Sequence, residues 1–143
     1  MSFSNPSQQA IAALLSAART IAVVGLSDNP QRPSYDVASG LLEFGYRIIP
    51  VNPSLAVWEG MRAARDLEDA MQTLGPDQRI DIVNVFRRPR HIAAVVDECI
   101  RLELPAIWLQ LGVIDEDAAR RAQTAGITVV MDRCIKVERM RMG

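Results

Sequence analysis

The sequence predicts an α/β domain over residues 1–143: an open, mostly parallel, doubly wound sheet in three layers. Three observations carry this. Short, continuous apolar runs such as Ile21-Ala22-Val23-Val24 suit strands buried on both faces. Each is followed by apolar residues at helical spacing, so strands and helices alternate as in βαβ crossovers. Glycine or proline marks most changes of period.

The elements follow in order. Asn5-Pro6 opens a first helix, with Asn5 as cap, Gln8 as its capping-box partner, and Ile11, Leu14, Leu15 and Ala18 on one side. Residues 21–24 form the first strand. A polar loop over residues 27–33 leads to a helix that Ser34 starts and Gly45 stops, with Val37, Ala38, Leu41 and Leu42 inward. Residues 46–51 form the second strand, ended by Asn52-Pro53. Residues 54–79 are irregular, with Val57-Trp58 as a short edge strand and residues 67–74 as a short helix closed by Gly75-Pro76. Residues 82–86 form a strand, 89–104 a helix limited by Pro105, and 106–111 a strand. Asp115 caps a helix that Gly126 ends, residues 127–131 form the last strand, and residues 132–143 read as a charged, mixed tail.

Composition narrows the function. Apolar residues make up 49% of the 143 and charged residues 23%, which suits a soluble domain with a filled core. A formal net charge of −1 argues against nucleic acid as partner. Two cysteines, Cys99 and Cys134, are too few for a disulfide scaffold and read as reduced thiols. No basic leader precedes an apolar stretch, and no apolar run is long enough to span a bilayer. A cytoplasmic protein that does not enter membranes is expected.

Ligands of such sheets bind beyond the carboxyl ends of the strands, where strand order reverses. Four segments are singled out: residues 25–34, 51–53, 86–88 and 110–112. In the first, Gly25 and Leu26 lead into Ser27, Pro30, Arg32, Pro33 and Ser34. Against the fingerprint G-x-G-x-x-G only the first glycine is kept, and Ser27 and Pro30 hold the other two places. Gly25 permits a tight turn, the serines offer hydroxyls, Arg32 a charged donor, and the helix start near Ser34 a positive dipole end. The same loop also reads as an ordinary turn with Ser34 as a simple cap. The second strand ends at Val51-Asn52-Pro53 without the carboxylate that usually holds the ribose of NAD. That lowers NAD and admits a phosphorylated ribose, as in coenzyme A or NADP. Phe86 is followed by Arg87, Arg88 and Arg90, which can pair with phosphates or stay solvated at a helix start.

Together these segments resemble the stand-alone CoA-binding domain family, one-domain relatives of the N-terminal domain of the succinyl-CoA synthetase alpha subunit. The resemblance covers residues 18–139. It rests on IAVVGLS at 21–27, RPS at 32–34, GYRIIPVNP at 45–53, VFRRP at 85–89, IWLQLG at 107–112 and VMDRC at 130–134. It implies a Rossmann-like fold and CoA or an acyl-CoA across the strand ends. Gly25, Ser27 and Arg32 to Ser34 would face the pyrophosphate, and Asn52 and Pro53 the adenosine. Phe86 and its neighbours would line the other side, with Gln110, Leu111 and Gly112 nearer the pantetheine arm.

The residues offer no catalytic set and no metal cluster. The full synthetase uses a phosphorylated histidine in a second domain. Here the only histidine, His91, opens a helix and reads as a surface or capping residue. Cys134 is the one tempting nucleophile, with a packed residue as the plainer reading. The expectation is therefore a binding or sensing module for CoA. A small NAD(P)-binding redox protein is the alternative, and a transferase using Cys134 a third.

Overall fold

The computed structural model describes residues 2–142; Met1 and Gly143, the ends of the expected domain, lie outside the described residues. The main sheet is built from β1 (Thr20–Val24), β2 (Arg47–Val51), β5 (Ile82–Val85), β6 (Ala106–Leu109) and β7 (Thr128–Met131). All its pairings are parallel and the order is β2-β1-β5-β6-β7. The chain winds outward from β1 to β2, then returns past β1 to build β5, β6 and β7 on the other side. Strand order thus reverses between β1 and β5, as expected of a doubly wound Rossmann-like sheet.

Period two divides each strand between two apolar layers. Ile21 and Val23 join the residues buried under α1 (Gln8–Ala17), α2 (Pro33–Glu43) and α6 (Ile135–Met140). Ala22 and Val24 face α3 (Leu67–Met71), α4 (Pro89–Arg101) and α5 (Glu116–Thr124). No helix among the described residues is long and apolar enough to cross a membrane.

Two local expectations change at the chain ends. Ser7, not Asn5, caps α1, its hydroxyl accepting from the Ala10 N–H at 3.1 Å. Asn5 instead pairs with both backbone groups of Met131, donating at 3.0 Å and accepting at 2.8 Å. β7 is an edge strand, and a side-chain amide satisfies its free groups as another strand would. Gln8 donates to Glu138 at 2.9 Å rather than closing a capping box. The tail forms α6, which turns Ile135 and Glu138 inward. Its six residues are too few to show a helical period beside so many charges.

The irregular segment is held by one carboxylate. β3 (Val57–Trp58) and β4 (Met61–Arg62) make a separate antiparallel hairpin, so Val57-Trp58 does not join the main sheet. Ala64 then bridges to the β2 edge, donating to the Pro50 carbonyl and accepting from the Asn52 N–H at 2.8 Å each. Asp69, only 6% exposed, accepts from the Arg65 N–H at 2.9 Å and from the Arg62 guanidinium at 3.1 Å on both oxygens. The Arg65 N–H first, and Arg62 next, hold its carboxyl below the usual carboxylate value against the opposing cost of burial. A lowered folded pKa gives stability that is present above the unfolded value and lost as pH falls through the folded one. Asp69→Asn should therefore lower the melting temperature at pH 7. The gap to the parent should close as pH drops through and below the carboxylate range. A gap that stays constant with pH in parallel melts would contradict this role.

Candidate functional site

The strand-order reversal is bonded shut around Gly25. Its N–H donates to the Val51 carbonyl at 2.8 Å, and the Phe86 N–H donates to the Val24 carbonyl at 2.8 Å. The ends of β2, β1 and β5 thus meet at one residue. Gly25 has φ +87°, and a Cβ there would stand 2.5 Å from the Phe86 carbonyl oxygen. The glycine is needed for the approach of one strand end to another as well as for the turn. Leu26 is fully buried behind it and anchors the loop.

The loop is ordered by its own side chains. The Ser27 N–H donates to the Ser34 hydroxyl at 3.0 Å, and the Asn29 N–H to the Ser27 hydroxyl at 3.0 Å. The Gln31 N–H donates to the Asn29 side chain at 3.0 Å. Ser34 is therefore not the cap of α2. Arg32 holds that position without a side-chain capping bond, Pro33 occupies the first helical turn, and the buried Ser34 ties helix to loop. In these bonds each hydroxyl oxygen accepts, so its own proton stays free for a further acceptor, although neither serine lines the cleft described below.

Asn52 has a structural task that residue type alone did not reveal. Its Nδ2 donates to the Leu26 carbonyl at 3.0 Å and its Oδ1 accepts from the Ser54 N–H at 2.9 Å. It clamps the first loop to the end of β2. Val51 is buried in the α3/α4/α5 layer, with its carbonyl taken by Gly25. Pro30 and Pro53 are exposed and do not line the cleft described next.

That cleft, about 590 Å³, lies between the start of α2 and the ends of β5 and β6. It brings together Pro33, Phe86, Arg87, Arg88, Gln110, Leu111 and Gly112 from the sequence reading, and adds Val37, Pro89, Val113 and Cys134. Leu111 is 66% exposed at the rim, a large apolar side chain without cover. Arg87 and Arg88 line the cleft, and Arg32 and Arg90 adjoin its lining residues Pro33 and Pro89 in the chain; among the described residues these four arginines pair with no carboxylate. Asp36, the acid on the cleft wall, is engaged by Lys136 at 3.1 Å. Desolvation, then Arg87, Arg90 and Arg88, push His91 below its ordinary pKa, so the charge here belongs to the arginines. Another cavity, of about 520 Å³, lies at the opposite end of the strands beside Arg19, Gly45 and Tyr46.

The far wall depends on Asp132, which the sequence placed at the start of the charged tail. Asp132 takes a left-handed conformation, φ +60°, just after β7. Its carboxylate accepts from the Gly112 N–H at 2.8 Å. Trp108 donates from its indole to the Arg133 carbonyl at 2.9 Å. These two bonds fix the β6 loop to the start of α6.

The two thiols differ. Burial, and then Glu98, push Cys99 up to about 12, so it is a protonated core thiol at neutral pH. Cys134 is partly exposed on the cleft wall. Iodoacetamide on the native protein should therefore label Cys134 and leave Cys99 unmodified, as read by peptide mass spectrometry. Equal labelling of both would contradict the burial of Cys99.

Residues 19–140 match the family described as CoA binding domain. The uncharacterized protein YneT of Bacillus subtilis (strain 168) is 41% identical over 133 residues, covering 93% of this chain and 94% of its own. A solved structure from Thermus thermophilus superposes with a TM-score of 0.86 at 37% identity, covering 96% of this chain and 100% of that one. The dinucleotide forming Acetyl-coenzyme A synthetase 1 of Ca. Korarchaeum cryptofilum has a TM-score of 0.64 at 19% identity. It covers 79% of this chain and 26% of that one, a likeness of fold alone.

Proposed function

The chain belongs to the CoA binding domain family, and from that premise we propose that it binds coenzyme A or an acyl-CoA in the Phe86–Gln110 cleft without transforming it. The observation that carries this is the pairing of four arginines that lack carboxylate partners with a mostly apolar cleft. Coenzyme A has the same division: a 3′-phosphate and a pyrophosphate at one end, a neutral pantetheine arm at the other. Arg32, Arg87, Arg88 and Arg90 suit the phosphates as charge-assisted donors. The Ser27 and Ser34 hydroxyls and the first turn of α2 suit the pyrophosphate. Val37, Phe86, Leu111 and Val113 suit the arm. Asn52 and Pro53 at the end of β2 present no carboxylate to repel a phosphorylated ribose. The two free thiols accord with a reduced, cytoplasmic setting.

Calorimetric titration with CoA, acetyl-CoA, NADH and NADPH tests the reading. Heat is expected with the two CoA ligands. Tight NADH binding with no response to CoA would sink it in favour of a redox protein. After incubation with acetyl-CoA, mass spectrometry should find the thioester intact and Cys134 unmodified. Released acetate or acetyl-Cys134 would overturn the non-catalytic part.

A further inference from the structure

We propose that Asn84 is a positioning residue that turns the Gln110 side-chain amide so that its NH2 faces the cleft and donates to a carbonyl oxygen of the ligand's arm. This rests on the CoA reading above and deepens it.

Asn84 sits in the middle of β5, fully buried, between Val23 and Trp108 in the neighbouring strands. A carboxamide there is unusual chemistry for a strand covered on both faces. Its Nδ2 donates to the Trp108 backbone carbonyl at 3.3 Å and to Gln110 Oε1 at 3.2 Å. Gln110, 6% exposed, also accepts on Oε1 from the Ile135 backbone N–H at 3.3 Å. Backbone groups settle both amide orientations. A carbonyl can only accept, so Asn84 must present nitrogen to Trp108. A backbone N–H can only donate, so Gln110 must present oxygen to Ile135. The second proton of Asn84 Nδ2 then reinforces the same Gln110 orientation.

Two consequences follow. Gln110 Nε2 is left without a partner among the described residues, is not among the solvent-sealed polar atoms, and belongs to a residue lining the cleft. It is a donor with its direction set in advance, which selects an acceptor. Asn84 Oδ1, in contrast, is sealed from solvent with no partner. A valine would fill this strand position without an orphaned oxygen, so stability alone does not account for the amide. The phosphate end of the ligand lies with the arginines at the mouth. The group that Gln110 meets is therefore a carbonyl of the arm, either a pantetheine amide or an acyl thioester.

The test compares CoA, acetyl-CoA and 3′,5′-ADP, which lacks the arm, by calorimetry on the parent, Asn84→Val, Gln110→Leu and the double variant. Gln110→Leu should weaken CoA about tenfold, the effect of one well-placed hydrogen bond, and Asn84→Val by a smaller but measurable factor, because the Ile135 N–H still holds Gln110. The double variant should be no weaker than Gln110→Leu, because both act on one donor. Affinity for 3′,5′-ADP should stay within about twofold. Equal losses for CoA and acetyl-CoA assign the donor to a pantetheine amide, and a larger loss for acetyl-CoA assigns it to the thioester. Additive losses, equal loss of 3′,5′-ADP, or unchanged CoA binding would each overturn the positioning role. A parent protein that binds 3′,5′-ADP but gains nothing from the arm overturns it too, and a parent that binds none of the three overturns the CoA reading itself. Should Asn84→Val fold poorly, Gln110→Glu keeps an oxygen for Asn84 and Ile135 and replaces the donor by a second acceptor that also carries charge, so it should weaken CoA at least as much as Gln110→Leu. The Gln110 side-chain amide signals should shift on adding CoA and not 3′,5′-ADP. Shifts that are equal for both ligands count against the proposal.

Discussion

Gly25→Ala should destabilise the protein by about 2–5 kcal/mol and remove measurable CoA binding. Two costs add. A left-handed backbone is unfavourable for any residue with a Cβ, by about 1–2 kcal/mol. The new carbon would also stand 2.5 Å from the Phe86 carbonyl oxygen, a backbone atom that cannot rotate away. The structure can relieve the clash only by separating the ends of β1 and β5, which stretches the Phe86 to Val24 bond and tilts the first loop away from Arg87. Gly112→Ala supplies the control. Its φ is +82°, and nothing lies within 4 Å of an added Cβ, so only the conformational cost applies. Urea unfolding should separate the two variants clearly. A Gly25→Ala protein no less stable than Gly112→Ala would show that the close approach is not what requires glycine.

Arg87→Glu should weaken CoA by more than about 100-fold while the melting temperature hardly moves. Arg87 is half-buried, with its Cδ 3.1 Å from where a Gly25 Cβ would stand, so it rises beside the first loop. It makes no ion pair with a described residue, so its removal breaks no ionic contact of the fold. Losing one charge-assisted bond to phosphate costs about 1.5–3 kcal/mol, or roughly 10- to 100-fold, and a carboxylate adds repulsion. Added salt should narrow the difference, since the site is open to water. Arg47→Glu, at the opposite end of β2, should leave binding unchanged. An Arg87→Glu protein within twofold of the parent would place the phosphates elsewhere.

The layers and the strand alternation were readable because each depends on local periodicity. A run such as residues 21–24 suits a strand buried on both faces, and parallel strands require crossovers. Of the four segments named at the strand ends, 86–88 and 110–112 line one cleft together with Pro33, whereas residues 51–53 and the rest of 25–34 do not line it. What escaped were assignments made by partners distant in sequence. Asn5 looked like a cap and is a surrogate strand partner for Met131, 126 positions away. Ser34 looked like a cap and is a loop staple. Asn52 looked like a ligand neighbour and clamps Leu26. In each case the residue type announced a hydrogen-bonding side chain, and only its spatial neighbours decided what it bonds.

The sequence by itself therefore determined the class of fold and a family resemblance that the match over residues 19–140 bears out. These are set by period, punctuation and residue type along the chain. Tertiary structure alone decided that Gly25 is pressed against Phe86, that the four arginines lack carboxylate partners, and that Asn84 and Gln110 orient one another across β5 and β6. Those properties come from distances between strands that sequence separates by dozens of residues, and no local pattern records them.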